Sequence, residues 1–233
     1  MKKRFLSILL SILLVFCFVI NTYADNFIDT NKHWAQTYID WCQEKGYVNG
    51  YTDNSFKPNN FIIRSEFSKI ISNYLGLNDD YESRFKDVNK DDWFYKPVTN
   101  LDYLSAYDIQ GDLFEPNKKV TREEAVYIIA RALGIKGDAS LIESYNDYKD
   151  VNYKVEVAGL ISYGIINGCD GNTLKPGAFI TRAEICKIIY CLELNKHKYI
   201  SDKQEEKNIE KADNKTNDKE TTKAVSYTHL RAH

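Results

Sequence analysis

Residues 114–134 read FEPNKKVTREEAVYIIARALG, and the pattern they carry decides the fold. A Phe-x-Pro-Asn step (Phe114-Glu115-Pro116-Asn117) leads into Val120-Thr121-Arg122-Glu123-Glu124. An apolar stripe follows at Ala125, Ile128, Ile129, Ala132 and Leu133, closed by Gly134. That spacing predicts an amphipathic helix, and the glycine predicts its C-cap. The design recurs as FKPNNFIIRSEFSKIISNYLG over 56–76 and as LKPGAFITRAEICKIIYCLEL over 174–194. Arg64, Arg122 and Arg182 each stand six residues after the proline, and Glu66, Glu124 and Glu184 two residues further on. The arginines are 58 and then 60 residues apart, the mark of an internal repeat.

Working outward, the repeat fronts read Phe27-Ile28-Asp29, Phe85-Lys86-Asp87 and Tyr148-Lys149-Asp150. In the first copy Trp34, Tyr38, Ile39 and Cys42 fall at helical spacing, and the run stops at Gly46. The loops that follow, Gly50-Tyr51-Thr52-Asp53-Asn54 and Gly168-Cys169-Asp170-Gly171-Asn172, are turn chemistry. Each unit is thus helix, loop, helix, over the ranges 26–84, 85–146 and 147–195. A two-helix unit of this length cannot cover its own apolar faces, whereas three together share one core. The expected fold is a single all-α domain: three helix-loop-helix repeats around a shared helical bundle with pseudo-threefold character.

The flanks differ from this body. Lys2, Lys3 and Arg4 precede an apolar run from Phe5 to Ile20, and Thr22-Tyr23-Ala24 supplies the small residues of a cleavage site. The run is short of the roughly 20 residues that span a bilayer, so residues 1–24 are expected to be a secretory signal peptide rather than a transmembrane anchor. Its removal takes away three positive charges and no negative ones, so the formal net charge falls from -2 to -5. An anionic chain is a poor partner for nucleic acid. Cys42, Cys169, Cys186 and Cys191 remain and are expected as free thiols: Cys186 and Cys191 sit on different faces of one helix, and a domain of this size needs no staples. Beyond Leu194 the chain is rich in Lys, Glu, Asp, Asn and Thr, which predicts disorder over 196–233.

The repeated motif carries the chemistry. Thr121 with Glu124, and Thr181 with Glu184, have capping-box spacing, which explains those four residues without any function. The arginine is not so explained, because a cation in the first turn opposes the helix dipole. A helix N-terminus with free N–H groups plus an arginine fork is instead suited to a carboxylate. Arg64, Arg122 and Arg182 are therefore candidate anion-binding residues; the alternative is structural pairing with Asp29, Asp87 or Asp150. Trp34 and Trp93 open the first helices of two copies and could offer a face to a sugar ring, while Trp41 falls at a packing position. Hydrolase, nucleotide-binding and zinc-protease motifs are lacking, which argues against an enzyme and for a binding role with no cofactor or metal.

Taken together, the Phe-x-Asp front, the Trp-led helix, the glycine-rich turn, the Phe-x-Pro-Asn step and Ile180-Thr181-Arg182-Ala183-Glu184 resemble the S-layer homology domain in three tandem copies, from Phe27 to about Leu194. The resemblance implies a three-pronged spindle with grooves between repeats. It implies a secreted, non-catalytic module holding its protein to the cell wall by binding a secondary cell-wall polysaccharide with pyruvate ketals. It places the ligand on Arg64, Arg122 and Arg182, with Glu66, Glu124 and Glu184 capping and orienting. Two other roles fit the same features: an array module contacting other S-layer or wall proteins, and the wall-targeting part of a truncated glycan-active enzyme. The copies are unequal. Ile63 replaces the capping threonine of the first, Gln110-Gly111-Asp112 shortens the turn of the second, and the third has Asn152 in place of the tryptophan, which ranks the second copy first for binding.

Overall fold

Each apolar stripe folds as a helix where its spacing requires one. The computed structural model describes residues 27–205, so the expected leader and the far part of the charged tail lie outside the described residues. Six helices carry the repeats: α1 Gln36–Glu44, α2 Arg64–Leu75, α3 Tyr95–Tyr103, α4 Arg122–Leu133, α5 Lys154–Ser162 and α6 Arg182–Leu194. Short 3-10 turns sit at Ala139–Ile142 and Tyr148–Asp150. Gly76 and Gly134 end α2 and α4 in the left-handed conformation, at φ 68° and 61°, as their places after the stripe predict. Among the described residues the extended segments form isolated bridges rather than strands.

Helix pairing runs between repeats. The first helix of each repeat packs on the second helix of the preceding one: α3 on α2, α5 on α4, and α1 on α6. The opening helix of the first repeat is thereby covered by the last helix of the third, and the arrangement closes. The core runs through all three units, with Ile39, Phe67, Leu101, Ile129, Leu160 and Ile185 sealed from solvent. Trp41 packs against its edge, its ring T-shaped to Tyr190 at 5.2 Å.

At the centre the residues entering the second helices hydrogen-bond in a cycle. Ile62 N–H donates to Ile180 C=O, Ile180 N–H to Val120 C=O, and Val120 N–H to Ile62 C=O, each at 3.0 Å. All three side chains are fully buried. The next amides continue the exchange. Arg64, Arg122 and Arg182 N–H donate to the carbonyls of Lys118, Ala178 and Asn60, and Ser65, Glu123 and Ala183 N–H to those of Pro116, Pro176 and Pro58. The first-turn amides of α2, α4 and α6, expected from the sequence to face an anion, are instead used up by the neighbouring repeat. The residue after each proline step thus caps the helix of the unit before it.

The Phe-x-Pro-Asn loop is clamped from behind by an aspartate. Asp29 accepts from Phe56 N and Lys57 N at 2.8 and 2.7 Å, and Asp87 from Phe114 N and Glu115 N at 2.7 and 2.8 Å. The clamp holds the second residue at positive φ, 55° for Lys57 and 56° for Glu115. In the third repeat the clamp is Asp147, which accepts from Leu174 N and Lys175 N at 2.7 and 2.8 Å. This corrects the assignment of Asp150 as the counterpart of Asp29 and Asp87. The true front is Tyr145-Asn146-Asp147, and Asn146 N donates to Asn172 O as Ile28 N does to Asn54 O. Tyr148-Lys149-Asp150 mimics the motif three residues later but forms a 3-10 turn, with Asp150 exposed.

The tail departs from the expected disorder at its start. Residues 196–205 are helical, Tyr199 is buried, and the segment touches all three repeats. Tyr199 lies 3.5 Å from the Tyr74 hydroxyl and packs edge-on to Tyr163, whose hydroxyl donates to Asp202, while Lys203 reaches the Leu133 carbonyl at the end of α4. One tyrosine and one lysine at a helix C-terminus are enough to dock a segment whose average composition is that of a solvated chain. Cys42, Cys169, Cys186 and Cys191 are free thiols, with Cys42 and Cys186 buried across the α1–α6 seam.

The corrected register has a direct consequence. Asp147→Ala strips two loop amides of their acceptor and is expected to cost about 1–3 kcal/mol, lowering Tm by about 2–4 °C for each kcal/mol. Asp150→Ala is expected to stay within about 0.5 kcal/mol of the parent. Thermal melts followed by circular dichroism compare the two; equal losses would reject the clamp.

Candidate ligand grooves between repeats

The three arginines fold inward and meet the glutamates of the next repeat. Arg64 Nε bonds Glu124 Oε1 at 2.7 Å, Arg122 Nη1 bonds Glu184 Oε1 at 2.9 Å, and Arg182 Nη1 pairs with Glu66 Oε2 at 3.6 Å. Each arginine also reaches the carbonyl opening the next repeat's proline step. Arg64 Nη1 donates to Phe114 O at 2.7 Å, Arg122 Nε to Leu174 O at 3.3 Å, and Arg182 Nε to Phe56 O at 2.9 Å. The peptide at that step is therefore gripped twice, its N–H by the repeat's own aspartate and its carbonyl by the preceding repeat's arginine. The structural alternative weighed from sequence, arginine paired with Asp29, Asp87 or Asp150, is not what forms. The aspartates serve the loop, and the arginines pair with Glu66, Glu124 and Glu184. This accounts for a cation at the positive end of each helix: a carboxylate from the adjoining helix start offsets the dipole.

Glu184 does two things at once. It closes a full capping box with Thr181 and accepts from Arg122. Thr121 Oγ1 accepts from Glu124 N at 3.1 Å, whereas Ile63 offers no side-chain cap and Glu66 instead accepts from the Tyr51 hydroxyl at 2.9 Å. Burial pushes the Tyr51 hydroxyl pKa up from its ordinary value, with the neighbouring Arg182 partly opposing the rise.

The three arginines are not equally enclosed. The side chains of Arg64 and Arg182 keep 10% and 6% of their exposure, and that of Arg122 keeps 18%. Arg182 spends its third nitrogen on Asn49 O at 3.1 Å. Arg64 Nη2 and Arg122 Nη2 have no hydrogen-bond partner among the described residues, and Arg122 is the more exposed of the two. It borders a cleft of about 190 Å³ lined by Trp34, Gly168, Cys169, Glu184 and Lys187. Trp34 belongs to the first repeat and is 56% exposed, with Lys187 Nζ 5.9 Å from its ring. A side chain at Gly168 would place its Cβ 2.5 Å from the Tyr145 ring, so the cleft wall there is bare backbone.

The Arg182 groove repeats part of this set. Lys69 stands where Lys187 does, five residues after its arginine, and with Trp93, which is 58% exposed, it lines a neighbouring cavity of about 820 Å³ that Arg182 itself does not border. The Arg64 groove, of about 340 Å³, differs. Tyr127 holds the lysine position, Asn152 the tryptophan position and Ile109 the glycine position, preceded by Asp108 where the other repeats have Asn49 and Asn167. Sequence reasoning singles out the arginines, glutamates and tryptophans. It misses Lys69, Lys187 and Gly168, although the arginine-plus-five spacing of the lysines is available in the repeat alignment.

The geometry defines a closed, repeat-built helical module with polar aromatic grooves at the seams between units. Comparison with known proteins gives the family. Residues 26–68 and 144–186 match the S-layer homology domain, so the chain carries S-layer homology domains at these two segments. It is 31% identical over 173 residues to Exoglucanase XynX of Acetivibrio thermocellus, covering 71% of this chain and 16% of that protein. It is 29% identical over 170 residues to the Surface-layer 125 kDa protein of Lysinibacillus sphaericus, covering 69% and 14%. With the S-layer protein sap of Bacillus anthracis it shares 26% identity over 161 residues, 67% of this chain and 20% of the relative. The chain therefore spans a fifth or less of these relatives. S-layer homology domains are non-catalytic modules that anchor proteins to the cell wall by binding its polysaccharide. Among the described residues no helix is long and apolar enough to cross a membrane.

The ring of arginines makes a stability prediction that separates its members. Arg182→Ala, which leaves Glu66 without its cation, is expected to destabilise by about 3–5 kcal/mol. Arg122→Ala, at the open edge, is expected to cost about 1–3 kcal/mol. Denaturant unfolding of both variants measures the order, and Arg122 costing as much as Arg182 would contradict it.

Proposed function

We propose that this module is exported and fixes its protein to the cell wall by holding an acidic, pyruvate-ketal-bearing polysaccharide in the seams between repeats, chiefly in the Arg122 groove. The observation that carries the reading is the unpartnered edge of Arg122 beside Lys187 and the exposed face of Trp34. A ketal carboxylate is a fixed anion on a sugar ring. Arg122 Nη2 would donate to it, Lys187 would add a second positive charge, and Trp34 would receive the apolar face of the ring. Glu184 holds the guanidinium in place from the other side, which fixes the donor's direction before the ligand arrives. The Arg182 groove would act alike through Lys69 and Trp93, with Arg182 itself, Arg64, Glu66 and Glu124 serving mainly the ring. Asp29, Asp87 and Asp147 support the loops rather than the sugar.

Export rests on the basic, apolar and small-residue order of residues 1–24. The anchoring role is supported by relatives whose names are those of surface-layer proteins and of polysaccharide-degrading enzymes, of which this chain matches a small part. Such a module needs no reaction chemistry of its own. Several grooves on one polymer raise apparent affinity through effective concentration.

Cosedimentation with purified wall fragments tests the reading. Arg122→Ala and Trp34→Ala are each expected to weaken binding about 10- to 100-fold, the size of one charge-assisted contact. Chemical removal of the wall's pyruvate is expected to weaken the parent protein likewise. Binding indifferent to pyruvate removal would reject the acidic-saccharide reading.

A further inference from the structure

The Arg64 groove is built from the same repeat positions as the other two, yet its chemistry is inverted. Where Lys69 and Lys187 put an ammonium, this groove has Tyr127, whose ring lies against that of Tyr153 with centroids 4.1 Å apart. Where Asn49 and Asn167 stand, it has Asp108, which accepts from the Tyr153 hydroxyl at 2.8 Å. Where Trp34 and Trp93 present a ring, it has Asn152. A buried carboxylate accounts for that last change. Glu123 accepts from Asn152 N at 2.5 Å, from Asn152 Nδ2 at 3.2 Å and from Tyr153 N at 2.7 Å. The corresponding residues in the other repeats, Ser65 and Ala183, carry no carboxylate. Glu123 thereby pins the start of α5 against α4 and fixes Tyr153 in the wall of the cleft.

The charge balance follows. Arg64 is engaged by Glu124 at 2.7 Å and by Glu115 at 3.2 Å, so its positive charge is already answered. The cavity it borders is also lined by Asp108 and Glu123. A carboxylate-bearing sugar entering here would meet carboxylates without a second cation, beside the Tyr127–Tyr153 pair in the cavity wall.

We propose that Asp108, Glu123, Tyr127 and Tyr153 close the Arg64 groove to acidic saccharides, so that the protein grips its polymer through two seams. This inference rests on the acidic-saccharide reading given above. The tyrosine pair and Asp108 act as specificity determinants by exclusion: they leave the ring intact and remove one binding place.

A synthetic methyl hexoside bearing a pyruvate ketal, titrated into the labelled protein and followed by amide chemical shifts, tests this. Shifts are expected around Trp34 and Lys187 and around Lys69 and Trp93, with none around Tyr127 and Tyr153. Shifts at Tyr127 and Tyr153 with affinity similar to the other seams would overturn the closure alone. No shifts anywhere would overturn the acidic-saccharide reading, and the closure with it. The double variant Asp108→Asn, Tyr127→Lys is expected to gain a third responding seam. A folded variant that gains none would remove these two residues from the determinants.

Discussion

The structure depends on one constraint: each repeat must be finished by the next. The backbone cycle of Ile62, Val120 and Ile180 satisfies three amides at the molecular centre that no single repeat can satisfy. Burying any of them unpaired would cost about 1–3 kcal/mol, and so would each first-turn amide that now bonds a neighbouring proline loop. Helix packing obeys the same rule, since every first helix lies on the preceding repeat's second helix. An open solenoid would leave one such face bare at each end. Here α1 covers α6, and among the described residues neither of these faces is left bare.

The arginine and glutamate pairs are the side-chain copy of that cycle. A semi-buried pair is a weak source of net stability by itself, because desolvation cancels much of the attraction. Its value lies in direction. Each guanidinium touches both the glutamate and the proline-step carbonyl of the next unit, so a repeat shifted along the seam would lose both contacts. The pairs therefore specify how the units meet, while the apolar core provides the bulk of the driving force.

The helices and their ends were legible because period and punctuation are local: the stripes, Gly76 and Gly134 fixed α2 and α4 before any contact was known. The three arginines were legible as exceptions to the dipole rule, and the exception was real. Their partners were not, because an acceptor 60 residues away leaves no local trace. Asp150 shows the limit of motif matching. Tyr148-Lys149-Asp150 copies the shape of the front, but the loop amides of Leu174 and Lys175 reach Asp147, and only the fold reveals which carboxylate is within range. The docked helix at 196–205 escaped for a related reason: disorder was inferred from average composition, and a single buried tyrosine is invisible to an average.

Three near-equal seams also explain how one chain can keep a fixed architecture while its grooves diverge. The ring uses the inner ends of the arginines, the glutamates and the backbone, and these recur in every repeat. The outer positions, five residues after the arginine, at the turn glycine and at the start of the first helix, contribute little to closure and can change separately. Lys187, Gly168 and Trp34 occupy them in one seam, and Tyr127, Ile109 and Asn152 in another. Arg122 stands on the border between the two layers, with Nε and Nη1 committed to the ring and Nη2 turned outward. A residue so divided ties groove to scaffold: pulling its outer nitrogen toward a ligand also loads the seam that holds two repeats together.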